Sequence, residues 1–149
     1  MKLAALASVA VLILIMAALA FLAQKSRQMQ PEAGMVNHHL RPCPEQPHCM
    51  CSEPGTPAHQ RVEPLKADWP TLREALQRMG GTIHQDDGHY LHASFRSPLF
   101  GFVDDLEARL DKPGLIQIRS ASRVGHSDLG ANRRRIERLR QCIDALKKR

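Results

Sequence analysis

The sequence predicts an α+β fold: a two-layer sandwich in which an antiparallel meander sheet carries two helices on one face, preceded by one transmembrane helix. Three observations predict this fold. Residues 68–81 and the segment after residue 127 repeat apolar side chains at the helical period. The residues between them alternate apolar and polar side chains and are divided by glycine-containing turns, as antiparallel strands are. Strands in one block between two helices favour a sheet with both helices on the same face.

An uncharged apolar run, residues 3–23, precedes the domain and contains Ser8 as its one polar side chain. As a helix, this run rises by about 31 Å, which matches the hydrocarbon thickness of a bilayer. A cleaved signal peptide is the alternative, since Ala18-Leu19-Ala20 has the small residues of a cleavage site. The apolar core of such peptides is only about 7–15 residues long. We therefore interpret residues 1–23 as an uncleaved transmembrane anchor.

The charges that flank the apolar run leave its orientation nearly balanced. Lys2 and the α-amino group lie on one side, and Lys25 and Arg27 lie on the other. The very short N-terminal flank is typical of an export signal and favours an exported C-terminal domain.

Residues 24–67 hold seven of the ten prolines. Proline blocks helices and interior strands by removing N–H donors. We expect a proline-rich linker here, followed by the folded α+β domain at residues 68–149.

Three cysteines and a histidine lie close together within that linker, from Cys43 to Cys51. In an oxidising compartment, Cys43 and Cys49 can form a structural disulfide. Alternatively, the cysteines and His48 supply soft ligands for zinc or Cu(I), or they remain free thiols. The spacing alone leaves these alternatives open, although it matches no known zinc module.

Signals at its ends delimit the first helix of the domain. Asp68 can cap its N-terminus, Pro70 suits its first turn, and Gly80 suits the position after its last residue. The last helix is expected to begin near Ser127 or Asp128.

Four strand-like segments lie between the two helices. The sequence Asp86-Asp87-Gly88 is a strong hairpin signal between the first two of them. The segments span residues 82–85, 89–96, 102–110 and 115–122.

Most of the basic character of the chain lies at its C-terminal end. Residues 119–149 hold ten lysines and arginines against three acidic residues, a net charge of +7, whereas the remainder of the chain carries −1. A basic segment favours an anionic partner. Aromatic residues make up only 4% of the chain, and they supply the stacking surfaces that single-stranded nucleic acid requires. Nucleic acid is therefore not the expected partner.

The junction between the last strand and the last helix is the candidate anion site. Arginine forks and helix N-terminal N–H groups can grip a carboxylate or phosphate together. The expected ligand-binding residues are Arg119, Ser120, Ser122, Arg123, Ser127, Asp128, Asn132 and Arg133. The alternative is internal: Arg119, Arg123 or Arg133 pairs with acidic residues and joins the sheet to the helix. The acidic candidates for this pairing are Asp104, Asp105 and Asp128.

Enzymatic alternatives remain open at the histidines. His92 with Asp104 or Asp105 can contribute to a metal site or to a Ser–His–Asp hydrolase. The serine of such a hydrolase is Ser120 or Ser127, and His89 and His126 are the other histidine candidates. No nucleophile elbow, phosphate-binding glycine loop or dinucleotide fingerprint is present in the sequence, so we expect no cofactor and no metal.

Two long motifs resemble the DUF1499 family, a domain of unknown function. One runs from His89 to Leu110 and begins His-Tyr-Leu-His-Ala-x-Phe-Arg-Ser; the other runs from Ile118 to Arg135 and begins Ile-Arg-Ser-Ala-Ser-Arg-Val-Gly. The motif Cys-Pro-x-x-Pro-x-Cys at residues 43–49 is similar to the N-terminal motif of the same family. The resemblance spans about residues 40–146.

This resemblance implies a compact domain of bacterial envelopes, with plastid relatives that are lumenal, and it implies no established activity. The chain departs from the family in two places: His48 stands where the family usually has asparagine, and Cys51 is an addition. Both departures add possible metal ligands, so the metal alternative is better supported for this chain than for the family motif.

Taken together, these features predict a single-pass protein of the bacterial inner membrane with its C-terminal domain in the periplasm. We expect a non-enzymatic binding module for an anionic small molecule, a lipid head group or an acidic protein surface. An envelope hydrolase, a metal-dependent enzyme and a Cys/His metal-handling protein are the alternatives.

Overall fold

The structure, a computed structural model, describes residues 2–148. Its elements, in chain order, are α1 (Lys2–Gln28), β1 (Met35–Val36), β2 (His39–Leu40), β3 (Cys49–Cys51), α2 (Trp69–Arg78), β4 (Thr82–Asp86), β5 (Tyr90–Arg96), β6 (Val103–Lys112), β7 (Leu115–Ser122) and α3 (Ala131–Lys147). The predicted α+β class is confirmed, and α1 lies where the apolar helix was expected. By length and composition α1 can cross a membrane, although a signal sequence has the same properties.

Five strands form one antiparallel sheet in the order β3-β7-β6-β5-β4. Strands β4 to β7 are the predicted meander. The hairpin between β4 and β5 turns at Gly88, whose φ of +85° lies in the left-handed region that glycine adopts without strain. Strand β3 is the fifth member and pairs with the outer edge of β7.

One face of this sheet, the helix face, packs against α2 and α3 around an apolar core. Leu72 and Leu76 of α2 and Ile136 and Leu139 of α3 are almost completely buried there. Asp68 caps α2 by accepting a hydrogen bond from the Thr71 amide at 2.8 Å, as its position predicts. The apolar side chains that the sheet contributes are Met50, Leu91, Ala93, Phe95, Leu106, Ala108, Ile116 and Ile118.

The opposite face, the back face, is buried and yet polar. It carries side chains such as His92, Glu107 and Arg119, each at most 6% exposed. The last turns of α1 and the segment that follows it cover this face, since Ala23 and Ser26 are fully buried and Gly34 donates its amide to Glu107. Two layers of cover therefore enclose the sheet, one helical and one irregular.

Residues 24–67 differ from the expected linker because they fold onto the domain. They supply β3, and Leu40 and Leu65 are buried almost completely. Cys43 and Cys49 are joined by a disulfide in this segment. Proline density excludes regular helix, but it does not exclude burial: isolated backbone bonds such as Leu65 N–H to Ile116 O, at 2.8 Å, attach an irregular segment to a sheet.

The last helix starts at Ala131, three residues later than Asp128. Leu129 and Gly130 have φ of +52° and +79°, and this left-handed pair separates the loop from the helix. Asp128 nevertheless satisfies the helix start, because its carboxylate accepts the Asn132 amide at 2.7 Å.

Candidate functional site

Two arginine–carboxylate pairs organise the back face near the end of β7. The first joins Arg119 to Glu107, which stand opposite each other in the register of β6 and β7, with Nη1 2.8 Å from Oε2. Tyr90 donates its hydroxyl to the other Glu107 oxygen at 2.7 Å. Burial and the neighbouring Glu107 charge raise the pKa of Tyr90 far above its usual value, so the phenol stays protonated as a donor.

The second pair joins Arg123 to Asp105 in a two-toothed contact of 2.7 and 2.8 Å. His92 Nε2 lies 2.8 Å from the same carboxylate. Burial alone raises the pKa of Asp105, but hydrogen bonds from Arg123 and His92 outweigh it and hold that pKa below its usual range. The hydrogen bonds that Arg123 donates to Asp105 in turn raise the pKa of Arg123. Both charges are therefore fixed and mutually compensated at neutral pH.

A cavity of about 500 Å³, which we name the end cavity, lies beside these pairs. It is bounded by the last turns of α1 on one side and by the C-terminal end of β7 with its following loop on the other. Its apolar wall includes Leu22, Met29 and Val124. Its polar lining residues are Lys25, Gln30, Glu32, Gln46, His48, Asp105, Arg119, Ser122, Arg123 and His126.

Two buried polar atoms of the end cavity have no hydrogen-bond partner within the described residues: Arg119 Nε and His48 Nδ1. Arg119 is only 3% exposed, so its Nε–H is held away from solvent. A buried donor left without a partner costs about 1–3 kcal/mol, and more when it is charged. Both residues belong to the lining of the end cavity.

The predicted site residues divide between the cavity and the start of α3. Arg119, Ser122 and Arg123 line the cavity. The structure satisfies the other members internally: Ser120 faces the helix, where its hydroxyl donates to the fully buried Asn132 at 2.6 Å.

The start of α3 is occupied by its own side chains. Asp128 accepts from the amides of Gly130 and Asn132 and from the Asn132 side chain. Ser127 accepts from the Leu129 amide in an exposed turn. Arg133 points toward the irregular segment and donates to the His59 carbonyl at 3.2 Å. These contacts make the helix start a structural junction, so we place the candidate site at the end cavity alone.

Three consecutive arginines, Arg133 to Arg135, lie near the N-terminus of α3 and oppose the helix dipole, and the last of them has an internal partner. Arg135 donates to Asp104 at 2.5 Å and lies 5.1 Å above the Phe95 ring. Asp104 therefore faces the helix side, whereas Asp105, its neighbour in β6, faces the back. The dipole conflict therefore needs no external ligand at this position.

The cysteine motif is organised around the disulfide. With Cys43 and Cys49 bonded, Cys51 remains as a buried thiol, and burial raises its pKa. Among residues 2–148, no three His, Cys, Asp or Glu side chains are grouped so that they can hold a metal ion. The metal-handling hypothesis has no geometric support in this part of the chain.

The hydrolase hypothesis is supported only in part. The expected contact between His92 and Asp105 is present. Ser94 is hydrogen-bonded to His84, at 2.7 Å, and Ser120 lies on the opposite face of the sheet. The serine, histidine and carboxylate contacts therefore belong to different pairs rather than to one relay.

Most lining residues of the end cavity were not among the predicted site residues, and Lys25, Glu32 and His48 are the ones of these that come from before β3 and carry an ionisable side chain. They lie in the segment interpreted as anchor and linker, and they reach the cavity only because this segment folds back over the sheet. The signal available in the sequence was His48, which stands directly before the second cysteine of the motif.

The sequence matches the model of a family described as "Protein of unknown function (DUF1499)" over residues 39–143, which is more than half of the chain. No curated protein and no solved structure matches the chain. The match agrees with the family that the motifs indicated, and its description names no substrate, ligand or partner.

Proposed function

Because this chain belongs to the DUF1499 family, whose description states no activity, we propose a function from the geometry of its site. The protein is a membrane-anchored, non-enzymatic binding module that holds an oxyanion, a phosphate or carboxylate group, in the end cavity. The observation that carries this proposal is the unpartnered Nε–H of Arg119, a buried cationic donor in the lining of that cavity.

The charge distribution supports an anion rather than a cation. The buried carboxylates beside the cavity, Asp105 and Glu107, already accept hydrogen bonds from Arg123 and Arg119. Lys25 is exposed and makes its charge available at the rim. The charged lining residues are Lys25, Arg119 and Arg123 against Glu32 and Asp105, a net charge of +1, which favours an oxyanion over a cation.

The position of the cavity favours a ligand with both charge and an apolar part. Leu22 of α1 and Met29, the residue after the helix, bring apolar surface next to the basic groups. A lipid head group offers this combination, and a free phosphate or an acidic polymer offers the same oxyanion chemistry without it.

Nuclear magnetic resonance of the full chain in a non-ionic detergent tests the proposal, because arginine Nε–H groups give separate signals. The Arg119 signal is assigned by its loss in Arg119→Lys. We expect it to shift saturably when inorganic phosphate, acetate or phosphatidylglycerol is added. A shift with the lipid alone assigns a head group, and a shift with phosphate or acetate assigns a soluble anion or an acidic polymer.

Two variants test whether binding depends on the residues of the end cavity. His48→Leu removes a polar group of the cavity and is expected to weaken binding by about tenfold, the equivalent of one hydrogen bond. Arg133→Gln removes a cation outside the cavity and should leave affinity unchanged. If the Arg119 signal shifts with none of the three probes, or if both variants weaken binding equally, the proposal is wrong.

A further inference from the structure

Helix α1 enters the domain with no spacer, which fixes where a membrane must lie. Within residues 6–28 of α1, whose burial the structure describes, Ala23 is the first residue to be fully buried against the domain, and Ser26 follows it. Residues 3–22 precede this contact and rise by about 30 Å, the thickness of the hydrocarbon core. If α1 spans a bilayer, the domain therefore begins at the surface of that bilayer.

At one end of the strands, which we name the proximal edge of the sheet, hydrogen bonds connect the sheet to the end of α1. The Ser26 hydroxyl accepts the Val103 amide at 2.7 Å, at the start of β6. Arg27 donates to the Phe100 carbonyl, and Arg123 donates to the Met29 carbonyl. The loop at residues 97–102 connects β5 to β6, and the loop at residues 123–130 connects β7 to α3. Both loops therefore lie beside the C-terminal end of α1.

Each of these two loops presents an unusually exposed leucine. Leu99 is 80% exposed and Leu129 is 84% exposed. No other large apolar side chain among residues 6–148 is as exposed as these two, including those of α1. Apolar side chains in water at this exposure gain about 1.5–3 kcal/mol each when they are buried.

The backbone holds Leu129 outward in a strained conformation. Its φ of +52° lies in the left-handed region, which costs a residue with a Cβ roughly 1–2 kcal/mol. The Ser127 hydroxyl and the Asp128 carboxylate accept the amides of Leu129 and Gly130 and lock this turn. This strained conformation is not compensated by packing within the domain, because the Leu129 side chain contacts mainly solvent.

Positive charge surrounds the two leucines, and the opposite edge of the sheet is different. Lys25, Arg27 and Arg96 are exposed at the proximal edge, and the exposed Arg134 donates to the Leu129 carbonyl. At the far edge, the exposed charged residues of the turns are Asp87, Asp111 and Lys112, a net charge of −1. Exposed leucines with basic neighbours are typical of surfaces that enter the interfacial layer of anionic membranes.

We propose that the proximal edge is a membrane-contact surface, with Leu99 and Leu129 inserted in the interfacial layer of the bilayer that α1 enters. The two loops seat the domain in one orientation on the lipid, with the end cavity beside the head groups. This inference rests on the anchoring part of the proposed function and is independent of whether the cavity binds an anion.

Tryptophan quenching in nanodiscs tests this surface. The full chain is reconstituted with lipids brominated near the head-group end of their acyl chains. Leu99→Trp and Leu129→Trp each place a new tryptophan at an exposed loop tip, where folding is not disturbed. We expect most of the added emission to be quenched in both variants.

Three controls make the result decisive. Trp69 hydrogen-bonds Asp86 at the far edge, so the unmodified chain should show no quenching, and Lys112→Trp at the same edge should show none either. Leu14→Trp, in the middle of α1, reports insertion of the anchor itself in matched nanodiscs whose lipids are brominated near the methyl end of their acyl chains. Quenching at position 14 without quenching at positions 99 and 129 overturns the membrane-contact surface while the anchor stands. Absence of quenching at position 14 overturns both, whatever the cavity binds.

Discussion

The two faces of the sheet are equally buried and are stabilised by opposite means. Leu106 and Glu107 are neighbours in β6, both are 0% exposed, and they point to opposite faces. Leu106 joins an apolar core in which attraction is non-directional. Glu107 accepts hydrogen bonds from Tyr90, Arg119 and Gly34, and each depends on geometry.

This difference shows that the back face depends on a cover outside the meander. Backbone groups of residues 29–34 take part in the polar pairs: the Gly34 amide donates to Glu107 at 2.6 Å, and the Met29 carbonyl accepts from Arg123 at 2.9 Å. The helix face draws its cover from regular helices, whereas the back face draws it from the irregular segment and the end of α1. We therefore expect the two faces to respond differently to substitution and to pH.

The largest effect is expected at the buried pair of the back face. Glu107→Gln leaves Arg119 as an uncompensated buried charge, and we expect a loss of about 3–5 kcal/mol in the free energy of unfolding. Urea titration of the full chain in a mild non-ionic detergent, followed by circular dichroism, measures this loss.

A double variant distinguishes an ion pair from simple packing. Arg119→Gln added to Glu107→Gln removes the unpaired charge, so the double variant should be more stable than the sum of the two single losses predicts, by about 1 kcal/mol or more. Additive losses would contradict the view that charge compensation stabilises this face.

A smaller but substantial effect is expected one residue away on the helix face. Leu106→Ala creates a cavity in the apolar core and should cost about 2–4 kcal/mol. The same urea titration measures it. No second polar substitution can recover this loss, whereas Leu106→Met, which nearly conserves volume, should cost less than about 1.5 kcal/mol. A Leu106→Met loss as large as that of Leu106→Ala would show that packing on this face depends on shape more than on volume.

The smallest expected effect, and the one most specific to the back face, is the dependence of the free energy of unfolding on acidic pH. Asp105 and Glu53 have pKa values below the usual range, because hydrogen bonds from their partners outweigh the effect of burial. Carboxyls of this kind bind protons more readily in the unfolded chain. Their stabilisation is present above about pH 4, the usual carboxyl range, and is lost as the pH falls through their lower folded pKa values.

Urea titrations at a series of pH values check this sign. Asp105→Asn should be less stable at neutral pH and should show a shallower decline below about pH 4 than the unmodified chain. Leu106→Ala should keep the full acid dependence, because its site holds no titratable group. An unchanged slope in Asp105→Asn would assign the acid limb to other carboxyls.

Local patterns predicted the regular elements well because those patterns are local in origin. The cap at Asp68, the turn at Gly88 and the alternation along β5 each depend on a few neighbouring residues. The start of α3 was placed too early, because Asp128 caps the helix from a position before the left-handed pair rather than next to the first turn.

The candidate site was only partly predictable. Sequence distance placed Arg119 and Arg133 in one basic run, but β7 and α3 send them to different surroundings. Charge signs predicted that arginines pair with acidic residues, and the candidates included Asp105, which pairs with Arg123. Glu107, which pairs with Arg119, was not among the acidic candidates, because its role follows from the register of β6 against β7.

By itself, the sequence determined the family, the α+β class, the apolar helix and the order of the meander, since each depends on motifs or on periodicity along the chain. Only the tertiary structure decided that residues 24–67 complete the sheet and cover its back face. It also decided which arginine has an unpartnered buried donor, and that the two exposed leucines lie at the edge where α1 leaves. The physical reason is that burial and hydrogen-bond satisfaction are properties of which surfaces meet, and a pattern along one segment does not record the segment that packs against it.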